Sequence, residues 1–234
     1  MKEMPVAILA GGFATRLGDL ATQTPKALLD INGRPFIDHQ LDLLYRNGIR
    51  RVVMCVGHLS DRIERHLGDG AVRDMEIRYS HDGPDPAGTG GAIRRAIPML
   101  GDMFWVMYGD SYMDIDYRSA RDHFADSDAL ALMTVIRNDD RWDRSNAIYE
   151  NGRLRCYDKS RRAPEMRHID YGVQLLRSAA LLAMAPGERF GLGDIYRGLV
   201  ARGQMIGFEV FNRFYEIGTP ASLEETRRYL AKAA

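Results

Sequence analysis

Cysteine is scarce: Cys55 and Cys156 are the only two in 234 residues. They show no metal-ligand spacing, and a pair so placed makes no disulfide framework. Cys55 sits inside the apolar run "VVMCV" and reads as a reduced core residue. Net charge is missing as well. Lys and Arg total 32, Asp and Glu total 32, so no electrostatic argument points to nucleic acid or an anionic membrane. The cluster Arg161, Arg162 and Arg167 reads as a solvated loop. No apolar run approaches the roughly 20 residues of a membrane span. The N-terminus lacks a basic segment followed by an apolar stretch and a cleavage site, so a cytoplasmic protein is expected. Low-complexity segments and internal repeats are absent too, and the chain reads as one domain over residues 1–234.

What is present alternates. "PVAILA" and "RRVVMCVG" have the length and apolar content of buried strands. Between and after them, "FIDHQLDLLYRNG" and "LSDRIERHLG" carry helical patterns. Phe36, Ile37, Leu41, Leu44 and Tyr45 fall at helical spacing, with Gly48 as the stop. Ile63 and Leu67 repeat that pattern. Strand, helix, strand, helix with nearly unbroken apolar strands predicts a parallel sheet covered on both faces. "EIRYS" and "MFWVMYGD" continue it, with "GTGGAIRRAIPML" as a glycine turn opening a helix between them. The second half changes character. "AIYENGRLRCYD" predicts a hairpin on Asn151-Gly152, a type I′ pair. "ALALMTVIR", "DYGVQLLR" and "MIGFEVF" read as strands, "SAALLAM" and "DIYRGLVARG" as helices, and "PASLEETRRYLAKA" as a closing helix with proline at its start. The expected fold is α/β: a Rossmann-like, mixed but mainly parallel sheet with helices on both faces and a small antiparallel addition in the second half.

In an open parallel sheet, ligands bind beyond the carboxyl ends of the strands. Three polar clusters stand at such ends. The first is "LAGGFATRL", residues 9–17: Gly11 and Gly12 free the backbone N–H groups to face an anion, and Arg16 offers a planar, permanently charged fork. Neither a Walker loop nor G-x-G-x-x-G is present. The second is Thr24-Pro25-Lys26, where proline fixes the backbone before a lysine. The third is "YGDSY", where Asp110 follows an apolar strand. Glu216 in "FYEIGTP" is another acid between a strand and a glycine turn. Two hard carboxylates with phosphate oxygens and waters form a ligand set that Mg2+ accepts, although sequence alone does not bring the two acids together.

These stretches resemble the sugar-1-phosphate nucleotidyltransferases. "LAGGFATRL" and "TPKALLDINGRPFIDHQL" are similar to that family's opening, and "PAGTGGAI", "YGDSY", "YDKS", "DYGVQLL" and "EIGTP" follow in its order. The resemblance implies a mainly nucleotide-binding half, 1–115, and a mainly sugar-phosphate-binding half, 116–234. Leu9, Ala10, Gly11 and Gly12 would approach the nucleotide and its phosphates, and Gly88, Thr89 and Gly90 the base and ribose. Arg16 would hold the leaving pyrophosphate and Lys26 the reacting α-phosphate. Asp110 and Glu216 would ligate Mg2+. Gly109, Lys159, Asp170, Tyr171 and Gly172 would border the sugar phosphate. Glu216 and Asp170 depart from the commoner aspartate and asparagine of the family, and "DKS" from a Glu-Lys pair.

The implied reaction joins a nucleoside triphosphate to a sugar 1-phosphate and releases pyrophosphate. Its nucleophile is ionised at neutral pH, so His58, His66 and His81 need no catalytic role. Asp85, three residues before Gly88, stands where relatives using GTP carry an acid. "GTGGAI" together with "YEIGTP" resembles the family's heptose branch, which implies GTP and D-glycero-α-D-manno-heptose 1-phosphate as substrates. Four alternatives stay open at this point. They are UTP- or CTP-dependent transfer to a hexose 1-phosphate, transfer to phosphocholine held by aromatic rings, a glycosyltransferase using Asp114-Ile115-Asp116, and a nucleotide sensor without turnover.

Overall fold

A computed structural model of the protein describes residues 4–12, 24–83, 85–185 and 187–232. The first half runs β1 (Val6–Leu9), β2 (Asp30–Ile31), β3 (Arg34–Pro35), α1 (Phe36–Arg46), β4 (Arg51–Val56) and α2 (Ser60–Leu67). It continues with β5 (Glu76–His81), α3 (Gly88–Leu100), β6 (Met103–Tyr108), β7 (Ser111–Tyr112) and α4 (Tyr117–Ala125). Then follow β8 (Ala131–Arg137), β9 (Ala147–Glu150), β10 (Arg153–Tyr157), β11 (His168–Arg177) and α5 (Ala179–Leu182). The last elements are α6 (Leu192–Ala201), β12 (Met205–Val210), β13 (Tyr215–Glu216) and α7 (Pro220–Leu230).

Nine of these strands make one sheet, in the order β5-β4-β1-β6-β11-β8-β12, with the β9-β10 hairpin joined to the start of β11. Strands β5, β4, β1 and β6 are parallel. Strand β11 runs against both of its long neighbours, β6 and β8. The expected mixed, mainly parallel sheet is therefore present, and the antiparallel pieces lie in the second half.

Strand side chains alternate between faces. Val6, Ile8, Trp105 and Met107 pack on one face with α1, α2 and α4, while Ala7, Phe104 and Val106 pack on the other with α3 and α6. Cover on both faces is why these strands read as continuous apolar runs. Each aliphatic side chain so buried contributes about 1.5–3 kcal/mol relative to exposure. Ile37, Leu41 and Leu44 give α1 its buried stripe, and Gly48 ends it with φ +77°. Asn151 (φ 51°) and Gly152 (φ 74°) form the expected hairpin turn. Among the described residues, no helix is long and apolar enough to cross a membrane.

Helix α7 covers a third apolar cluster with Leu223 and Leu230 against Ile31, Phe36 and Ile217. Its start is a capping box. Thr219 Oγ1 accepts the Ser222 N–H at 3.2 Å, and Ser222 Oγ accepts the Thr219 N–H at 2.9 Å. Thr219→Ala should cost about 1 kcal/mol of stability, read as a lower urea midpoint at an unchanged slope.

Candidate active site

The loops beyond β1, β4, β5 and β6 are tied together by the ladder they prolong. The Ala10 N–H donates to Cys55 O at 2.8 Å, Gly109 N–H to Leu9 O at 2.9 Å, and Asp82 N–H to Val56 O at 2.9 Å. Side chains have no room there: a Cβ on Gly11 would stand 2.6 Å from Asp82 Oδ2 and 3.2 Å from the Gly57 nitrogen. These loops enclose a cavity of about 370 Å³. Leu9, Ala10, Gly11, Gly12, Gly88 and Thr89 all line it, as expected from the sequence. Arg16 lies outside the described residues.

Two expected nucleotide contacts are placed elsewhere. Gly90 does not line the cavity, because a Cβ there would run into the Phe190 ring, and its N–H donates to Phe190 O at 3.0 Å. Its lack of a side chain serves helix packing. Asp85 is exposed in the turn before α3 and is not among the lining residues. Asp82 instead is a carboxylate on the β5 side of the cavity wall, with its side chain 13% exposed and Arg95 3.9 Å away. Burial pushes the Asp82 carboxyl above its usual range, and Arg95 opposes that shift. The sequence signal for Asp82 was present but unread: it directly follows the last residue of β5.

A second cavity, about 490 Å³, adjoins the first. Tyr108 and Asp110 line both. Asp110 follows the Gly109 turn at the end of β6, where Gly109 itself lines the first cavity rather than the second. Lys26 Nζ is 2.7 Å from Asp110 Oδ2, and Ser111 Oγ donates to Oδ1 at 3.1 Å. Gln40, fully buried on α1, braces this turn from beneath: its Nε2 donates to Tyr108 O at 3.1 Å and to Ser111 O at 2.8 Å.

The meeting of Asp110 and Glu216 comes from two short strands. Glu216 of β13 pairs with Ser111 of β7, and the Ile217 N–H donates to Asp110 O at 2.9 Å. A Cβ on Gly218 would collide with Glu216 Oε2 and stand 3.4 Å from Lys26 Nζ. Lys26 therefore lies against Asp110 with the Glu216 carboxylate close by.

Lys159, Asp170, Tyr171 and Gly172 line the second cavity with Glu216. The loop carrying Lys159 is shaped by Asp158, whose Oδ1 accepts from Ser160 N–H, Ser160 Oγ and Arg161 N–H. Those bonds hold the Asp158 carboxyl down at about 2, Ser160 contributing most. Lys159 Nζ lies 3.3 Å from Asp170 Oδ2 and over the Tyr108 and Tyr157 rings, at 5.6 Å and 5.9 Å. Two of the rings near this cavity, Tyr108 and Tyr157, therefore already face a lysine. Asp143, Arg144, Ser145 and Asn146 also line this cavity and went unread. Their loop is set by Asp139 and Asp140 at φ 46° and 59°, conformations with no strong sequence mark. In the Asp-x-Asp triplet, Asp116 caps α4, accepting from Ser119 N–H at 2.9 Å. Among the described residues no histidine lines either cavity; His66 and His81 face Asp38 and Glu64.

Residues 6–146 match the nucleotidyl transferase family. The chain belongs to that family. Over 121 residues it is 40% identical to N-acetylmuramate alpha-1-phosphate uridylyltransferase of Neisseria meningitidis serogroup B, a match covering 50% of this chain and 51% of that one. It thus spans about half the length of that relative. Over 221 residues it is 26% identical to D-glycero-alpha-D-manno-heptose 1-phosphate guanylyltransferase of Campylobacter jejuni, covering 93% of this chain and 96% of the relative. A Bacillus anthracis protein assigned as a glucose-1-phosphate thymidylyltransferase, solved with sucrose, superposes with a TM-score of 0.85. It is 24% identical and covers 99% of this chain and 96% of its own. As a nucleotidyl transferase, the chain has the fold its strand pattern predicts.

Proposed function

We propose that the protein transfers GMP from GTP to a sugar 1-phosphate, D-glycero-α-D-manno-heptose 1-phosphate by preference, giving an NDP-sugar and pyrophosphate. One observation carries this reading: two adjoining cavities share Asp110 and Tyr108, and Lys26 meets Asp110 at the junction. In this reading the triphosphate occupies the first cavity and the acceptor the second. A phosphate oxygen of the acceptor forms a bond to the α-phosphorus of GTP, and the bond from that phosphorus to the bridging oxygen breaks. The electron pair and charge leave with pyrophosphate. No proton has to be removed, because the attacking phosphate oxygen is already ionised at neutral pH.

Two anions must approach, so the chain's task is positioning and charge neutralisation. In this reading Lys26 is assigned to the α-phosphate, Lys159 to the acceptor's phosphate, and Arg16 to the leaving pyrophosphate. Asp110 and Glu216 are the residues that would hold Mg2+. Two carboxylates at one point, with phosphate oxygens and water for the remaining positions, suit its octahedral demand. The Lys26 ammonium against Asp110 already marks that spot as one that attracts a cation. When bound, the ion would screen the phosphate charges from one another.

Asp82 supports guanine. A half-buried carboxylate can accept from guanine N1–H and N2–H₂ together, whereas uracil offers it a single N–H. The near full-length guanylyltransferase relative points the same way. UTP is the second reading, favoured by the 40% identity to a uridylyltransferase over half the chain. Pyrophosphate release with each of four NTPs against a panel of sugar 1-phosphates decides. The expected result is highest kcat/KM with GTP and the heptose 1-phosphate, falling at least about tenfold for GTP in Asp82→Asn. Preference for UTP, CTP or dTTP overturns the guanine assignment.

A further inference from the structure

We infer that Asp170 is a positioning residue, fixing the Lys159 ammonium at the wall of the second cavity without contacting the acceptor. The inference rests on the reading of Lys159 as the contact for the acceptor's phosphate. Asp170 sits where β11 leaves register with β8, between Asp170 and Gln174. A bulge of this kind re-aims a side chain. Gly172, at φ +100°, makes the bend, and a Cβ there would stand 2.9 Å from Met113 Sδ.

The bend turns the carboxylate inward, and its partners occupy both oxygens. Oδ1 accepts from Gly172 N–H at 3.0 Å and from Gln174 Nε2 at 2.6 Å. Oδ2 accepts from Tyr157 OH at 3.4 Å and faces Lys159 Nζ at 3.3 Å. The Asp170 side chain is 1% exposed, whereas that of Lys159 is 51% exposed. A carboxylate so enclosed has no free edge for a sugar hydroxyl. The lysine does present an open side, and its far side is held by the acid and two tyrosine rings. The support is itself anchored: Asn146 Oδ1 accepts the Asp170 N–H at 2.9 Å, and Tyr196 OH donates to Gln174 Oε1 at 3.4 Å. Asp170 also holds the ammonium charged, well above the ordinary lysine range. A buried acid keeps such partners because an unpaired charge there is costly.

A double-mutant cycle separates positioning from direct contact. Acceptor KM, NTP KM, kcat and melting temperature are measured for Asp170→Asn, Lys159→Gln and the double variant, using the sugar 1-phosphate turned over fastest in the panel above. Lys159→Gln is expected to raise acceptor KM about tenfold or more, and Asp170→Asn about fivefold, each leaving NTP KM within about twofold. The double variant is expected to be no worse than Lys159→Gln alone. Effects that multiply, or an unchanged acceptor KM in Asp170→Asn, overturn the inference and leave the role of Lys159 standing. An unchanged acceptor KM in Lys159→Gln overturns the reading of Lys159 and the inference with it. Asp170→Glu keeps the charge one methylene further out and is expected to fall between wild type and Asp170→Asn. The same cycle can be run on it if Asp170→Asn does not fold.

Discussion

Asp110→Asn is expected to lower turnover by about 10²-fold or more while leaving the fold intact. The size follows from position. Asp110 is in the wall of both cavities and touches the lysine assigned to the reacting phosphorus. Removing one preorganised charge from such a junction removes an interaction that matters most when charge is redistributing. The intact fold follows from exposure. The side chains of Lys26 and Asp110 are 18% and 32% exposed, so their attraction is partly screened by water and the pair contributes little to stability. Lys26→Met should show the same signature. Pyrophosphate-release kinetics beside a thermal melt check both halves. A near-normal rate in Asp110→Asn would remove the metal assignment, and a collapsed melting temperature would make the kinetic loss uninformative.

Gly88→Ala should be the most damaging of the small substitutions around the first cavity. Gly88 has φ +76°, a region that costs a residue with a Cβ about 1–2 kcal/mol. Its Cβ would also lie 2.6 Å from the backbone oxygen of Phe190. That oxygen cannot move freely, because it accepts the Gly90 N–H at 3.0 Å while Phe190 N–H donates to Ala87 O at 3.0 Å. Strain and collision together predict a loss of about 2–4 kcal/mol, or roughly 5–15 °C in Tm for a chain of this size. NTP KM should rise with it, since Gly88 lines the first cavity, the one assigned to the triphosphate. Gly12→Ala is the matched control: among the described residues nothing lies within 4 Å of a Cβ there, and its melting temperature should barely change. Equal losses at the two positions would contradict this account of the turn.

The central sheet was legible because burial on both faces leaves an unbroken apolar mark on β1, β4 and β6. The hairpin was legible because Asn151-Gly152 adopts positive φ at little cost. The candidate site was legible where a motif and a strand end coincide, as at Gly11 and Asp110. It was not legible where a long-range pairing decides. Nothing local in Ser111-Tyr112 or Tyr215-Glu216 announces two-residue strands that bring the acids together. Asp82 and Asp85 share one short loop, and only the end of β5 determines which of them is buried. Gln40 carries no local mark of its role, being wholly buried with its amide donating to two carbonyls. Asp170 looked available to a ligand because the bulge that encloses its carboxylate has no signature beyond one glycine.

The common wall of the two cavities has a thermodynamic consequence. A ligand that changes the field at Asp110 and Tyr108 from one side alters what the other side encounters, so the two affinities are linked. Linkage is reciprocal: whatever factor the triphosphate imposes on acceptor binding, the acceptor imposes on triphosphate binding. In the proposed reading, a boundary shared by both reactants ties their two dissociation constants through one coupling factor.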